Sequence, residues 1–382
     1  MGRQYTAEGC GIIAGEHDRL SRSSAGRRRP SESGPVSDPR PEPRVPEAAR
    51  RLLESAELVD LHIHVGAAVA PHVLWEIAHD HGFKLPVKTY PEFQDLVYAD
   101  PDRVTSLDGY LDILHRWTER IQSSPSAIER SVYSIIGKEY RSSRVSTIEL
   151  RFNPMKRNLG GERDLDHIIA AAIRGMERAC LAYGIRAGLI FCLAREFDYE
   201  LNDIIVRKAE RYRDRGVVGI DLAGPEQHTL EFGGDVDRYR DLFARARAAG
   251  LGTTIHTGET PHTGADGVIA VLDKLQPDRI GHGIAAARSK ELMRRLADQG
   301  TVLELCPSSN LRTRAVSGWE ELRDVYQALR DAGVRTTVNT DGTYLLGTTL
   351  RHEFELLLAH QVLDPDDALR SIETARQSTF VR

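Results

Sequence analysis

The sequence predicts an α/β fold, a closed parallel (β/α)8 TIM barrel, and three observations carry that prediction. Eight short runs rich in β-branched residues recur from residue 58 onward, most of them separated by stretches of helical periodicity. Each run is nearly continuous in apolar residues, as strands buried on both faces are. The first run is followed by "VGAAVA", residues 65–70, which lacks the glycine-rich phosphate turn that a doubly wound open sheet would place there.

Taken in order, the first fifty residues stand apart. The stretch "RLSRSSAGRRRPSESGPVSDPRPEPRVPEAARR" is rich in Arg, Pro, Ser and Glu and nearly free of large apolar side chains. Residues 1–50 are therefore expected to be a disordered extension, and 51–382 the barrel. The cluster Arg27-Arg28-Arg29 has acidic residues interleaved and no aromatic beside it, which suits a solvated tail better than a nucleic-acid arm. The predicted strands are "LVDLHIHV" (58–65), "VSTIELRF" (145–152), "IRAGLIFCL" (185–193), "VVGIDLA" (217–223), "LGTTIHT" (251–257), "RIGHGI" (279–284), "TVLELC" (301–306) and "VRTTVNT" (334–340). Helical patterns lie between most of them, such as 164–184 and 289–300; the latter opens on the cap residue Ser289 and stops at Gly300. Residues 70–144 are too long for a simple crossover and read as a helical insertion, a lid over the C-terminal rim where barrel enzymes keep their sites. Of its apolar positions Trp75, Tyr90, Phe93, Tyr98, Leu114 and Trp117, most are expected to pack the insertion's own small core, with one or two facing a ligand.

Composition excludes several classes. With 382 residues, 41% hydrophobic and 28% charged, the chain can bury a sizeable core as a soluble globular protein. A formal net charge of −5 gives no basic face for nucleic acid, and no run reaches the apolar length of a membrane span. Cys10, Cys180, Cys192 and Cys306 are scattered, with no C-x-x-C pair. That argues against a disulfide framework and a thiolate zinc site, and for a reducing cytoplasmic setting. Whether the chain forms a homo-oligomer is left open.

Unusual polar residues gather at the predicted strand ends. His62 and His64 are two apart in one strand and so share a face. His256 ends the fifth strand with Glu259 just beyond, His282 lies between two glycines of the sixth, and Asp341 ends the eighth. Singly each has an ordinary alternative: a core histidine, a turn, a helix cap. Together, at one rim, imidazoles and a carboxylate suit zinc or another divalent first-row metal, one per chain, which generates a hydroxide nucleophile at neutral pH. Asp341 can ligate and accept a hydrogen bond from the water, His282 can orient it or take its proton, and Glu259 is left as a proton shuttle.

The stretches "LHIHVG", "IDLAGPE", "HTGE", "RIGHG", "ELCPSSN" and "NTDG", in this order, resemble the adenosine deaminase family of metal-dependent amidohydrolases, over roughly residues 57–380. The resemblance implies a mononuclear zinc on His62, His64, His256 and Asp341. It also implies Glu259 protonating a ring nitrogen of an aminopurine, with His282 assisting the hydroxide. Asp221 to Gly224 match the family's strand-4 motif, which implies that Asp221 and Gly224 bind substrate, the glycine backbone meeting the base edge. The other zinc deaminase design, with a His-x-Glu and a Pro-Cys-x-x-Cys motif, is absent, and Cys306 reads as a buried inert thiol.

Two positions depart from the family. Gly66 stands where the family has an aspartate for a 5′-hydroxyl, and Gly342 where it has one for the purine's imidazole nitrogen. Both bear on substrate choice, so a modified adenosine, a free aminopurine or a nucleotide is expected rather than plain adenosine. Gly66 would leave room for a larger 5′ substituent. Lys156, Arg157 and Asn158 could meet a phosphate, or be solvated loop charges. Two other functions compete: hydrolysis of an amide, imide or formimino C–N bond, and a catalytically dead relative that binds a nucleoside.

Overall fold

The computed structural model describes residues 45–234 and 236–382. Cys10 and Arg27–Arg29, with most of the expected extension, lie outside them. Eight parallel strands follow one another around a single sheet: β1 (Leu58–His64), β2 (Val145–Phe152), β3 (Arg186–Ala194), β4 (Val217–Ala223), β5 (Gly252–Thr257), β6 (Arg279–His282), β7 (Val302–Leu305) and β8 (Thr336–Val338). The ring closes just past β8, where Ile63 bridges Asp341 in parallel register. The (β/α)8 barrel expected from the sequence is the fold.

Strand after strand is buried along nearly its whole length, because helices cover the outer face and the barrel interior is filled. Helices such as Leu165–Tyr183, capped by Asp164 and stopped by left-handed Gly184, supply the outer layer with Ile168, Ile169, Ile173 and Met176 facing inward. Each fully buried aliphatic side chain of this kind contributes about 1.5–3 kcal/mol. The helix Lys290–Gln299 carries the expected Ser289 cap and Gly300 stop.

Two expectations about the periphery need correction. A helix spans Glu47–Ser55, across the expected boundary at residue 50. Its Leu53 is fully buried and the helix packs on Leu350–Ala359 and Pro365–Ser378. The segment 70–144 is not all lid. Its last helix, Pro125–Ser143, packs along Leu165–Tyr183 and β2 as an ordinary member of the outer layer. Trp75, Tyr90, Phe93 and Trp117 join the main core rather than a core of the insertion's own, Trp75 lying 5.3 Å from Phe93 and 5.9 Å from Tyr90. A separate small cluster sits at the rim, where Tyr110 and Leu114 meet Ala67, Leu345 and Leu346.

Candidate active site

The barrel closure itself assembles the site. His64 N donates to Asp341 O and Asp341 N to His62 O, both at 2.8 Å. Two backbone hydrogen bonds thereby fix the eighth strand's carboxylate beside the first strand's imidazoles. One donor atom from each of His62, His64, His256 and Asp341 can be chosen so that all four lie within 4.8 Å of one another. His64 Nε2 is 3.1 Å from His256 Nε2, and Asp341 Oδ1 is 3.4 Å from His64 Nε2 and 3.6 Å from His62 Nε2.

Ring orientation is imposed from beneath. His62 Nδ1 donates to Glu304 at 2.8 Å, and His256 Nδ1 to Asp221 at 3.0 Å. That leaves the Nε2 lone pairs of both rings pointing into the cluster. His62 Nε2 is buried without a hydrogen-bond partner, an arrangement that is costly unless a cation fills it. Burial holds His64, His256 and His282 below the usual histidine range, so these rings are neutral and able to ligate at neutral pH. The donor set fits a divalent metal. A second grouping, His62, His282 and Cys306, also converges, but burial pushes the Cys306 thiol well up and leaves it a poor ligand.

The carboxylates below the rings belong to a buried ionic network. Arg151 donates to Asp221 at 3.1 Å, to Glu304 at 2.8 Å and to the Leu61 carbonyl at 2.6 Å. Arg279 Nε donates to Glu304 at 2.6 Å and its guanidinium pairs with Glu149. Asp221, expected to touch substrate, has no exposed surface and serves His256 instead. Glu304 and Arg151 escaped the sequence reading, although a charge inside an otherwise apolar buried strand was the available signal.

Glu259 lies in the turn after β5. Its Oε2 is 3.6 Å from His282 Nε2, and Thr313 Oγ1 donates to its Oε1 at 3.2 Å. Burial, with the charges of Glu226 and Asp341, pushes its carboxyl well above the ordinary range, which favours its protonated form. Glu226 holds this turn, accepting from Glu259 N at 3.2 Å and Thr260 N at 2.7 Å. Asn310 Nδ2 lies 3.1 Å from His282 Nδ1 and donates to it, which puts the neutral ring's proton on Nε2. His282 and Asp341 both adopt left-handed backbone, φ 59° and 60°. Such strain in non-glycine residues persists where the surroundings enforce it, commonly at functional sites.

A cavity joins these groups, lined by His64, His256, Glu259, His282, Asp341 and Gly224. It continues past Leu111 and Leu114 into a second, adjacent one. Gly224, at φ 108°, presents bare backbone there. A larger open groove, lined by Thr260, Arg288 and Val316, meets the site only at Glu259 and contains none of the histidines.

The two departing glycines are not empty places. A Cβ on Gly66 would lie 2.8 Å from Leu114 Cδ1, 3.1 Å from Glu119 Cγ and 3.3 Å from Arg157 Nη2. The room expected for a larger 5′ substituent is thus filled by the insertion. A Cβ on Gly342 would strike the Tyr110 hydroxyl and lie 2.5 Å from Ala67 Cβ. Tyr110 was not among the aromatic positions singled out from sequence. Lys156 and Arg157 both face carboxylates: partly exposed Lys156 has its Nζ 2.6 Å from Glu196, and fully buried Arg157 is 2.8 Å from Glu119. Asn158 does not line the cavity.

Residues 58–381 match the family model described as adenosine deaminase. An adenosine deaminase from Clostridium kluyveri is 29% identical over 333 residues, 86% of this chain and 91% of its own length. A Zn-bound amidohydrolase from Burkholderia ambifaria superposes with a TM-score of 0.76 at 23% identity, over 89% of this chain and 92% of that one. The Arabidopsis N6-mAMP deaminase gives 0.71 at 22% identity, over 87% and 96%. The chain belongs to the adenosine deaminase family, as a hydrolytic deaminase acting on C–N bonds.

Proposed function

We propose that the substrate is a 6-aminopurine nucleoside, which water converts to the 6-oxo product with release of ammonia. The observation that carries this reading is a buried carboxyl, Glu259, facing His282 beside an imidazole cluster in one cavity. His62, His64, His256 and Asp341 would hold the metal, which we take to be zinc from the three-nitrogen, one-oxygen donor set. When bound, the metal supplies Lewis acidity and lowers the pKa of water to about 7.

The chain's own groups do the rest. Glu259 donates its proton to the ring nitrogen next to the amine-bearing carbon, which makes that carbon electrophilic. His282 Nε2–H holds the attacking water oxygen, and the Asp341 carboxylate takes one of its protons and passes it to the amine, which leaves as ammonia when the C–N bond breaks; the water's second proton restores Glu259. The Gly224 backbone meets the base edge, and Leu111 and Leu114 exclude water from one face. Asp221 and Glu304 keep His256 and His62 turned inward. The free cysteines Cys180, Cys192 and Cys306 suit a reducing cytoplasm, and among the described residues no helix is long and apolar enough to cross a membrane.

A nucleoside is favoured over a nucleotide because both rim cations already face carboxylates. Bringing a phosphate to Lys156 and Arg157 would set it against Glu196 and Glu119. The test is ammonia release by zinc-loaded protein from adenosine, 2′-deoxyadenosine, their monophosphates, adenine and N6-modified adenosines. Nucleosides are expected to lead, with Lys156→Ala leaving the nucleoside-to-monophosphate ratio unchanged. A monophosphate preference abolished by Lys156→Ala would reverse the assignment, and silence on every amine would favour an amide, imide or formimino bond.

A further inference from the structure

Tyr110, on the insertion helix Leu107–Ile113, is buried, and its hydroxyl has no hydrogen-bond partner. It lines the same cavity as His64, His256, Glu259, His282 and Asp341. A buried hydroxyl left unmatched is unfavourable, and a cavity is where a ligand can complete it. Burial and the charges of Asp341 and Glu259 push the phenol well above its ordinary range, so the group is a neutral donor at every working pH.

Its place in the barrel says what it can meet. The hydroxyl occupies the space that a side chain on Gly342, directly after Asp341, would claim. Glu259 enters from the end of β5, while Tyr110 packs against Ala67 and Gly342 beside β1 and β8, on the opposite side of the ring of strands. In a 6-aminopurine the reacting carbon has the pyrimidine nitrogen on one side. On the other, two bonds away, lies the imidazole-side nitrogen, whose lone pair is an acceptor. With Glu259 on the first, a donor across the cavity faces the second.

We propose that the Tyr110 hydroxyl donates a hydrogen bond to the imidazole-side ring nitrogen of the bound aminopurine and so selects for that acceptor. This rests on the deaminase reading above. A group from the insertion then sets specificity where the strand end itself carries only Gly342.

The experiment pairs Tyr110→Phe with a substrate in which that nitrogen is replaced by C–H, the 7-deaza analogue of adenosine. Wild-type protein should favour adenosine over the analogue by about tenfold in kcat/KM, the size of one neutral hydrogen bond. Tyr110→Phe should lose about tenfold on adenosine and nothing on the analogue. Equal losses on both would mean the ring only packs, and would overturn the proposal while leaving the deaminase reading intact. Calorimetric binding of inosine and 7-deazainosine gives a readout independent of turnover. A tenfold gap closed by Tyr110→Phe supports the contact, and no gap overturns it. A wild type that deaminates neither substrate and binds neither product would overturn the deaminase reading and this one together.

Discussion

Replacing Glu304 with glutamine removes one charge from a place where four donors depend on it. Its Oε2 accepts from His62 Nδ1 and Arg151, and its Oε1 from Arg279 and Thr254 Oγ1. All five side chains are essentially inaccessible to solvent. Each charge-assisted hydrogen bond is worth about 1.5–3 kcal/mol, and the amide oxygen of glutamine can serve only one of the two oxygen positions, without the charge. Breaking a buried ion pair on one side costs about 3–5 kcal/mol, a large share of the about 5–15 kcal/mol that a domain has. The second consequence is specific. With His62 Nδ1 no longer tied to a carboxylate, the ring loses its orientation, and metal affinity should fall about 10–100-fold. Denaturant unfolding of the metal-free protein reads the first effect, and a competitive chelator titration at pH 7 reads the second. Glu149→Gln is the control, because Glu149 pairs with Arg279 and contacts Thr379 and Phe380 but no histidine. It should lower stability and leave metal affinity alone. Equal metal affinity in wild type and Glu304→Gln would refute the idea that this network orients the cluster.

Two more predictions concern buried carboxyls. In the proposed mechanism Glu259 is active as the acid; with its carboxyl pushed up, kcat should decline as pH rises through its pKa. Glu259→Gln should lose about 10²–10⁴ in kcat and the alkaline limb with it, at unchanged metal content; a limb that survives in the variant belongs to another group. Glu353 is fully buried and raised from 4.5 to about 7 by burial, so between these values the native state holds a proton that the unfolded chain has released. Stability contributed by that proton is full below the unfolded value and is lost as pH rises through the window, by at most about 3 kcal/mol. Glu353→Gln should therefore match the parent in denaturant unfolding at pH 5 and exceed it at pH 8. Asp60, likewise raised to about 7 by burial, keeps part of the slope in both proteins. No gain at pH 8 would mean Glu353 is charged in the native state.

What was legible in the sequence follows from what the backbone alone determines. The eight strands were readable within one or two residues at most ends, because strands covered on both faces are apolar at nearly every position. His62, His64, His256, His282, Glu259 and Asp341 were readable as one group because strand ends and the turns beyond them share a rim in any closed parallel barrel. The ionic network was half readable. Asp221, Glu304 and Arg151 each stand out as charges in buried runs, but their pairing needs the register across β1, β2, β4 and β7. Asp221 was accordingly given to the substrate when it belongs to His256. The insertion was the least readable part. Helical spacing shows that Trp75 and Phe93 face inward, yet it cannot say which core they join. It gives no mark at all to Tyr110, whose hydroxyl has meaning only beside Gly342.

The two glycines and the insertion are therefore one feature seen from two places in the chain. Read along the sequence, Gly66 and Gly342 are missing carboxylates. Read through space, each is the absence of a side chain that lets another group approach: Leu114 and Glu119 at Gly66, the Tyr110 hydroxyl at Gly342. A side chain restored at either position would displace the insertion, since its Cβ alone falls 2.8 Å from Leu114 at Gly66 and strikes the Tyr110 hydroxyl at Gly342. In the proposed reading, specificity is carried largely by the segment 107–119 lying over the rim, while the strand ends below keep the acid and the metal donors in place. On that reading the chemistry and much of the choice of substrate are built on different elements, and the second can change without moving the first.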